Sequence, residues 1–343
     1  MAPMGIRLSP LGVAVFCLLG VGVIYHLYAG VFSSRLAAFS RQRRKVDLRD
    51  LLALSVEAAV LGGKEVKKVR EENDLKERSK GKTKEGANEL LTMGDLQSHR
   101  KMYNLMRNTF PEVTVNSEER DDVVDKTITW SRNIPTDIAK KIQGGKDVPV
   151  ESVTVWIDPL DATQEYTENL LKYVTTMVCV ALEGKPVLGV IHQPFTGLTA
   201  WAFVSQGANV QPRSSYSLTP PKVIVSRSHS GDVKAFVHNA FGNSTPIVEA
   251  GGAGYKVLSL LDMHTSENMD QADVYVHITH IKKWDICAGQ ALINAMGGHL
   301  TTLKGENINY SDTPLNTGGL VASVGVDHKA LLEKLPKLDS EKH

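Results

Sequence analysis

The chain has 343 residues, 42% of them hydrophobic and 22% charged, with a formal net charge of +1. That near-neutral balance, with no zinc-finger, RNP or basic-zipper pattern, gives no support to nucleic-acid binding and leaves a globular chain of one large domain or two lobes. Three widely spaced cysteines, Cys17, Cys179 and Cys287, form no C-x-x-C pair. They argue against a disulfide framework or zinc site, and Cys179 and Cys287 read as buried thiols.

After a short tail (1–7), residues 8–32, "LSPLGVAVFCLLGVGVIYHLYAGVF", carry no charge and are long enough for one membrane span. Tyr25 and Tyr28 suit its interface. A cleaved signal peptide is the rival, but the run is long for one and no small-x-small site follows it. In the linker 33–46, Arg35, Arg41, Arg43, Arg44 and Lys45 outweigh Arg7, so the positive-inside rule places the rest in the cytosol. Against this stand two glycosylation sequons, at Asn243 ("NST") and Asn309 ("NYS"), which have meaning only in a lumenal domain.

Residues 47–61 read as an amphipathic helix, with Leu51, Leu54, Ala58 and Leu61 at three- and four-residue steps. Residues 64–85 read as a solvated helix face followed by a mobile loop, and 95–109 as a second helix. Strands are predicted at 153–158, 174–182, 186–192 and 199–204, a meander with turns at "EGKP" and "PFTG". The linker-like "SSYSLTPP" follows, and then "KVIVS", "PIVEA" and "ADVYVHI" alternate with helical segments, the pattern of an α/β lobe. "DICAGQALINAMGG" is a helix with Ile286, Gly289, Ile293 and Met296 on one stripe; "GGLVASV" reads as a late strand and "HKALLEKL" as a closing helix. The expected class is α/β, with an α+β metal-binding lobe (47–205), an α/β lobe (206–330) and a tail (331–343).

In "VTVWIDPLDATQEYTENL" an apolar β-branched run stops at Asp158, and Pro159, Asp161 and Thr163 follow. Proline fixes the turn, the three-residue spacing lets two carboxylates face one point, and Leu160 leaves a backbone carbonyl free to coordinate. Singly, each acid has a structural explanation: Asp161 as a turn residue or helix N-cap, Asp285 as an N-cap, Glu118 and Glu119 as exposed groups. Converging, Glu118, Asp158, Asp161 and Asp285 suit hard cations such as Mg2+, which take carboxylates, waters and substrate phosphate.

"WIDPLDAT" with the downstream "WDICAGQAL" resembles the paired motifs of the lithium-sensitive, magnesium-dependent phosphatase superfamily, which includes inositol monophosphatases, fructose-1,6-bisphosphatases and 3′-nucleotidases. The resemblance covers about residues 47–330. It implies a layered α-β-α-β-α sandwich with the active site where the lobes meet, two or more Mg2+ ions, inhibition by Li+, and a homodimer as a common state. Its metal ligands fall on Glu118, Asp158, the Leu160 carbonyl, Asp161 and Asp285, and its water-activating pair on Thr163 and on Asp95 in "TMGDLQSHR". Two departures are Asp161-Ala162-Thr163 where Asp-Gly-Thr is commoner, and Ser117 for a usual glycine before Glu118.

"TQEYTENL" looks like the branch that removes the 3′-phosphate of adenosine 3′,5′-bisphosphate, a by-product of sulfotransferases. With the anchor, the resemblance implies a Golgi membrane protein with its catalytic domain in the lumen. It places nucleotide contacts on Asp161, Ala162, Thr163 and Asp285, on Ser226 and His229 of "VSRSHSG", and on Gly252 and Lys256 of "GGAGYK". Chemically, Lys256 can complement a phosphate and His229 can hydrogen-bond or stack, against an ordinary loop histidine and turn glycines. The alternatives are a phosphatase for inositol or sugar phosphates, and a catalytically silent, membrane-anchored metal- or nucleotide-binding protein.

Overall fold

The computed structural model describes residues 9–41, 44–83, 86, 88–121, 123–228, 232–263 and 269–337. Helix α1 (Pro10–Arg41) contains the stretch Pro10–Ala29, long and apolar enough to cross a membrane and with none of its window buried against the rest of the protein. This fits the expected anchor.

Helix α2 (Leu48–Glu71) starts where the Asp47 carboxylate accepts the N–H groups of Arg49 and Asp50. It runs ten residues beyond the predicted end at 61. Gly62 and Gly63, which look like a stop, are contact points instead: a Cβ on Gly62 would lie 2.5 Å from Ser98 Oγ and Met102 Sδ, and one on Gly63 2.5 Å from His192. The expected loop after it is an antiparallel hairpin, β1 (Arg78–Lys82) and β2 (Asn88–Leu91). Helix α3 (Met93–Thr109) then packs on α2.

The meander appears as predicted. Strands β3 (Thr114–Ser117), β4 (Val153–Asp161), β5 (Thr175–Leu182), β6 (Lys185–His192), β7 (Thr199–Phe203) and β8 (Gly207–Ala208) form a sheet in the order β8-β7-β6-β5-β4-β3. Only β3 and β4 are parallel. Side chains alternate between two cores: Val153, Val155, Ile157, Val178 and Val180 pack toward α2 and α3, while Trp156, Met177, Cys179 and Ala181 face the other way. Burial on both faces explains why these strands read as continuous apolar runs.

The second lobe follows as β9 (Val223–Ser226), α4 (Val233–Phe241), β10 (Ile247–Ala250), α5 (Ala253–Leu258), β11 (Val274–His277), α6 (Lys283–Ala295), β12 (His299–Thr301), β13 (Leu320–Ser323) and α7 (His328–Lys334). Its sheet order is β10-β9-β11-β13-β12, with β9, β10 and β11 parallel. Ile224, Tyr275, Leu320 and Ala322 point to the inner core; Val223, Val225, Val274, Val276 and Val321 pack outward with Phe236, Val237 and Leu331 of α4 and α7. Helix α6 lies between the sheets, touching β5 and β6 on one side and β12 and β13 on the other. The layers are α-β-α-β-α, as expected.

One expectation is overturned. Cys179 and Cys287 are joined by a disulfide, with Cα atoms 5.6 Å apart. At a sequence separation of 108 the pairing is invisible until the sandwich lays α6 on β5. Cys17 is free and exposed.

Candidate active site

The segment read as a tight turn after Asp158 is a bulge inside a longer strand. Asp158 pairs with Met177 and Asp161 with Thr175, so β4 advances three residues while β5 advances two. A bulge re-aims side chains and tolerates a proline, which has no ladder N–H to offer. Ser98 Oγ, on α3, donates to the Pro159 carbonyl at 2.6 Å, and the Leu160 N–H donates to Asp158 Oδ1 at 3.1 Å. Ala162 then takes φ 70°, ψ 46°. That left-handed conformation costs a non-glycine residue about 1 kcal/mol, which accounts for the glycine of the commoner motif.

Glu118 follows β3, and its amide donates to the Ile157 carbonyl at 3.1 Å, which sets it beside Asp158. Ser117, the other departure, gains a partner: its hydroxyl lies 2.8 Å from His99 Nδ1 on α3. Asp285 is not the N-cap of α6. It is the third residue of the helix, and its Oδ2 accepts the Lys282 N–H at the true cap, 3.3 Å away. Glu118, Asp158 and Asp285 thereby present oxygens that all lie within 4.8 Å of one another.

Three carboxylate oxygens so close, with no nitrogen or sulfur donor in the cluster among the described residues, fit a hard divalent cation such as Mg2+. The electrostatics agree. Burial, then Glu118, Asp161 and Asp285, push Asp158 well above the usual carboxylate range. Asp285 is pushed up by burial and then by Glu118 and Asp161.

Asp161 lines the same cavity but its carboxylate is engaged elsewhere. It accepts the N–H groups of Ala253 (3.1 Å) and Gly254 (2.8 Å) at the start of α5, and the Thr175 hydroxyl (3.1 Å). Burial raises its pKa, against the pull of Lys256 and these donors. Thr163 Oγ1 lies 3.1 Å from the Leu160 carbonyl oxygen, one of two acceptors within reach of its single proton.

Asp95, fully buried in the first turn of α3, lies 3.0 Å through Oδ1 from Thr163 Oγ1. Its Oδ2 accepts the Thr92 N–H at 2.6 Å and the Thr92 hydroxyl at 2.5 Å, which fixes the carboxylate plane. Burial, reinforced by Glu118 and Glu119, raises its pKa to about 7 despite Thr92.

Lys80 was not foreseen. From the hairpin it reaches Glu118 at 2.8 Å and Glu119 at 2.6 Å. Burial works against its charge, yet the two glutamates raise its pKa. Its partners lie 38 and 39 residues away, and the lysine-rich run around it carries no local mark of this contact.

These groups line a cavity of about 370 Å³ together with Ser226, Gly252, Lys256, His277, His280, Lys282 and Trp284. Gly252 has φ +64°, and a Cβ there would lie 2.7 Å from the Tyr173 carbonyl and 2.9 Å from Asp161 Oδ2. Lys256 is buried; burial lowers its pKa, opposed by Asp161, Glu165 and Asp285. Its ammonium donates to the Ala250 carbonyl at 3.3 Å and sits 5.5 Å over the Tyr275 ring. His229 lies outside the described residues. Asn243 and Asn309 are exposed and away from the cavity.

A family model described as the inositol monophosphatase family matches residues 47–340. A relative from Danio rerio, named inositol monophosphatase 3, is 66% identical over 342 residues, covering 100% of each chain. One from Homo sapiens, named Golgi-resident adenosine 3′,5′-bisphosphate 3′-phosphatase, is 56% identical over 359 residues, again with 100% of each chain covered. Among solved structures, an inositol monophosphatase from Anabaena (Nostoc) superposes with a TM-score of 0.59 at 18% identity, covering 85% of this chain and 98% of its own.

Proposed function

Because this chain belongs to the inositol monophosphatase family, as its paired motifs implied, we propose that it is a magnesium-dependent phosphatase that converts adenosine 3′,5′-bisphosphate to AMP and phosphate. The observation that carries the substrate is the lining of the cavity. Beside the acids it bears the basic residues Lys256, His277, His280 and Lys282, which suit a substrate with a second anionic group better than a neutral polyol. Full-length relatives named for the bisphosphate reaction support the same reading.

Glu118, Asp158 and Asp285 would hold the metal, with the Leu160 carbonyl and Asp161 as further candidates for a second ion. Bound there, Mg2+ acidifies a water and neutralises charge on the phosphate and on the leaving oxygen. The protein's own part is proton handling. Thr163 donates to Asp95, so its oxygen lone pairs are left to accept a proton from water. As Thr163 Oγ takes that proton, its own passes to Asp95 Oδ1. A carboxylate raised to about 7 is basic enough to receive it near neutrality. The water oxygen bonds to phosphorus, the P–O3′ bond breaks, and the ribose oxygen leaves with the electron pair and takes up a proton from solvent water, while Asp95 releases to solvent the one it received. Lys256 and the other basic residues of the cavity would hold the 5′-phosphate and nucleoside, with Ser226 and Gly252 beside them. Li+ is expected to inhibit at a metal position. We assign the two sheets with their helices, residues 48–208 and 223–334, as the two lobes of a protein anchored in the Golgi membrane with its catalytic body in the lumen.

A second reading, inositol phosphate hydrolysis, is favoured by the name of the 66% identical relative. Detergent-purified full-length chain, titrated with Mg2+, distinguishes them. Adenosine 3′,5′-bisphosphate should give AMP and phosphate in a Mg2+-dependent manner, with inositol 1-phosphate poorly used. The reverse preference would keep the chemistry and transfer the substrate to inositol phosphates. Folded protein inactive on both would remove the phosphatase reading.

A further inference from the structure

We propose that the Cys179–Cys287 disulfide positions the metal-binding carboxylates, holding Asp285 against Asp158. The proposal rests on the reading of Glu118, Asp158 and Asp285 as a cation site.

The bond joins α6, which carries Asp285, to β5, the strand paired with the Asp158-bearing β4. On β5, Cys179 pairs with Trp156, and Met177, two residues away on the same strand, pairs with Asp158 itself. On α6, Cys287 comes two residues after Asp285. Both cysteines are essentially unexposed. On the other side of Cys179 its strand partner is Gly189, where a Cβ would lie 2.3 Å from the Ala288 carbonyl of α6. A close approach of the helix to the sheet therefore adjoins the covalent link, next to the acid cluster.

A link is useful there because the acids oppose the packing that brings them together. Charge on Glu118, Asp158 and Asp285, whose oxygens lie within 4.8 Å of one another, works against the packing of α6 on the sheet. The contact that fixes Asp285 locally, to the Lys282 N–H at 3.3 Å, is made at the start of α6 and does not tie the helix to the sheet. The disulfide ties it to β5, the strand paired with β4. It keeps the oxygens within one cation's reach before a cation arrives, so the ion need not supply the work of closing the site.

A bond of this span also stabilises the fold by constraining the unfolded chain, so stability alone does not test positioning. The affinity of folded protein for a cation does. Full-length wild type, whose bond is first confirmed by intact mass after thiol alkylation, is compared with Cys179→Ala/Cys287→Ala and the better-filled Cys179→Ala/Cys287→Val. Mn2+ binding is followed by electron paramagnetic resonance well below each melting temperature, with circular dichroism reporting the fold. Both variants should bind Mn2+ about 10-fold more weakly or worse, the scale seen when groups that orient metal ligands are lost, and regain turnover at high metal. Folded variants with wild-type Mn2+ affinity would reduce the bond to a stabiliser and overturn the proposal, as would free thiols at both positions in the wild type. Wild type that binds no Mn2+ would instead overturn the cation site and the proposal with it.

Discussion

At Asp158 a single carboxylate is asked to serve two opposed states. It is buried, faces Glu118, Asp161 and Asp285, and is raised well above the ordinary carboxylate range by burial first and these neighbours next. Asp95 behaves alike, reaching about 7 from 3.8. The sign of the pH dependence follows. A carboxyl with a folded pKa above its unfolded one keeps its proton in the fold after the unfolded chain has released it. Its stability contribution is complete below the unfolded pKa and is lost as pH rises through the folded one. For Asp95 that window runs from 3.8 to about 7, an upper bound of roughly 4 kcal/mol. Metal-free protein should therefore melt at lower temperature at pH 8 than at pH 5, and Mg2+ should recover more at pH 8. Asp158→Asn removes one charge without changing the side chain's shape. In EDTA it should melt above the wild type at pH 8 and show a flatter pH profile, while turnover in Mg2+ falls at least about 10²-fold. Calorimetry across pH with a parallel assay reads both. Near-normal turnover would take Asp158 out of the ligand set, and an unchanged pH slope would refute the repulsion.

The hairpin β1–β2 shows what an element adds that its residues do not announce. Its first strand lies at the surface, yet it delivers Lys80, whose side chain is only 27% exposed, to Glu118 and Glu119, and Glu119 is itself raised by burial and by Glu118. A fixed ammonium there relieves acid repulsion and repels an incoming cation. Lys80→Ala should lower the melting temperature of metal-free protein and tighten Mn2+ binding several-fold; weaker binding would mean that Lys80 helps organise the site instead. Sequence could not reveal this contact, because both partners are distant in the chain and the lysine run resembles a solvated surface. The same limit hid the disulfide. Legibility was high where periodicity is local: the alternation along 153–157 and 178–181, the stripe on α6, and the acids of the paired motifs. It was lower where a local signal has two meanings. Pro159 marks a turn or a bulge, Gly62-Gly63 a helix end or a close helix contact, and Asp285 an N-cap or the third residue of a capping box.

For the whole molecule the open matter is which side of the membrane the folded body occupies. The basic residues after the span favour the cytosol. Three features weigh against them. Asn243 and Asn309 are exposed acceptors in separate parts of the second lobe, and the Cys179–Cys287 disulfide belongs to an oxidising compartment. The charge rule reports how a span enters the membrane, whereas the disulfide and the exposed sequons describe the body that must fold afterwards, so we weight the latter. Expressed in cells, the full-length protein should lose mass on glycosidase treatment, with Asn243→Gln and Asn309→Gln each removing one increment. In sealed vesicles the body should resist added protease until detergent is present. Unglycosylated protein digested in intact vesicles would place the body in the cytosol, where reducing conditions disfavour the disulfide. The site would then have to hold Asp285 against Asp158 by packing and Mg2+ alone, and substrate would have to come from cytosolic sulfate transfer.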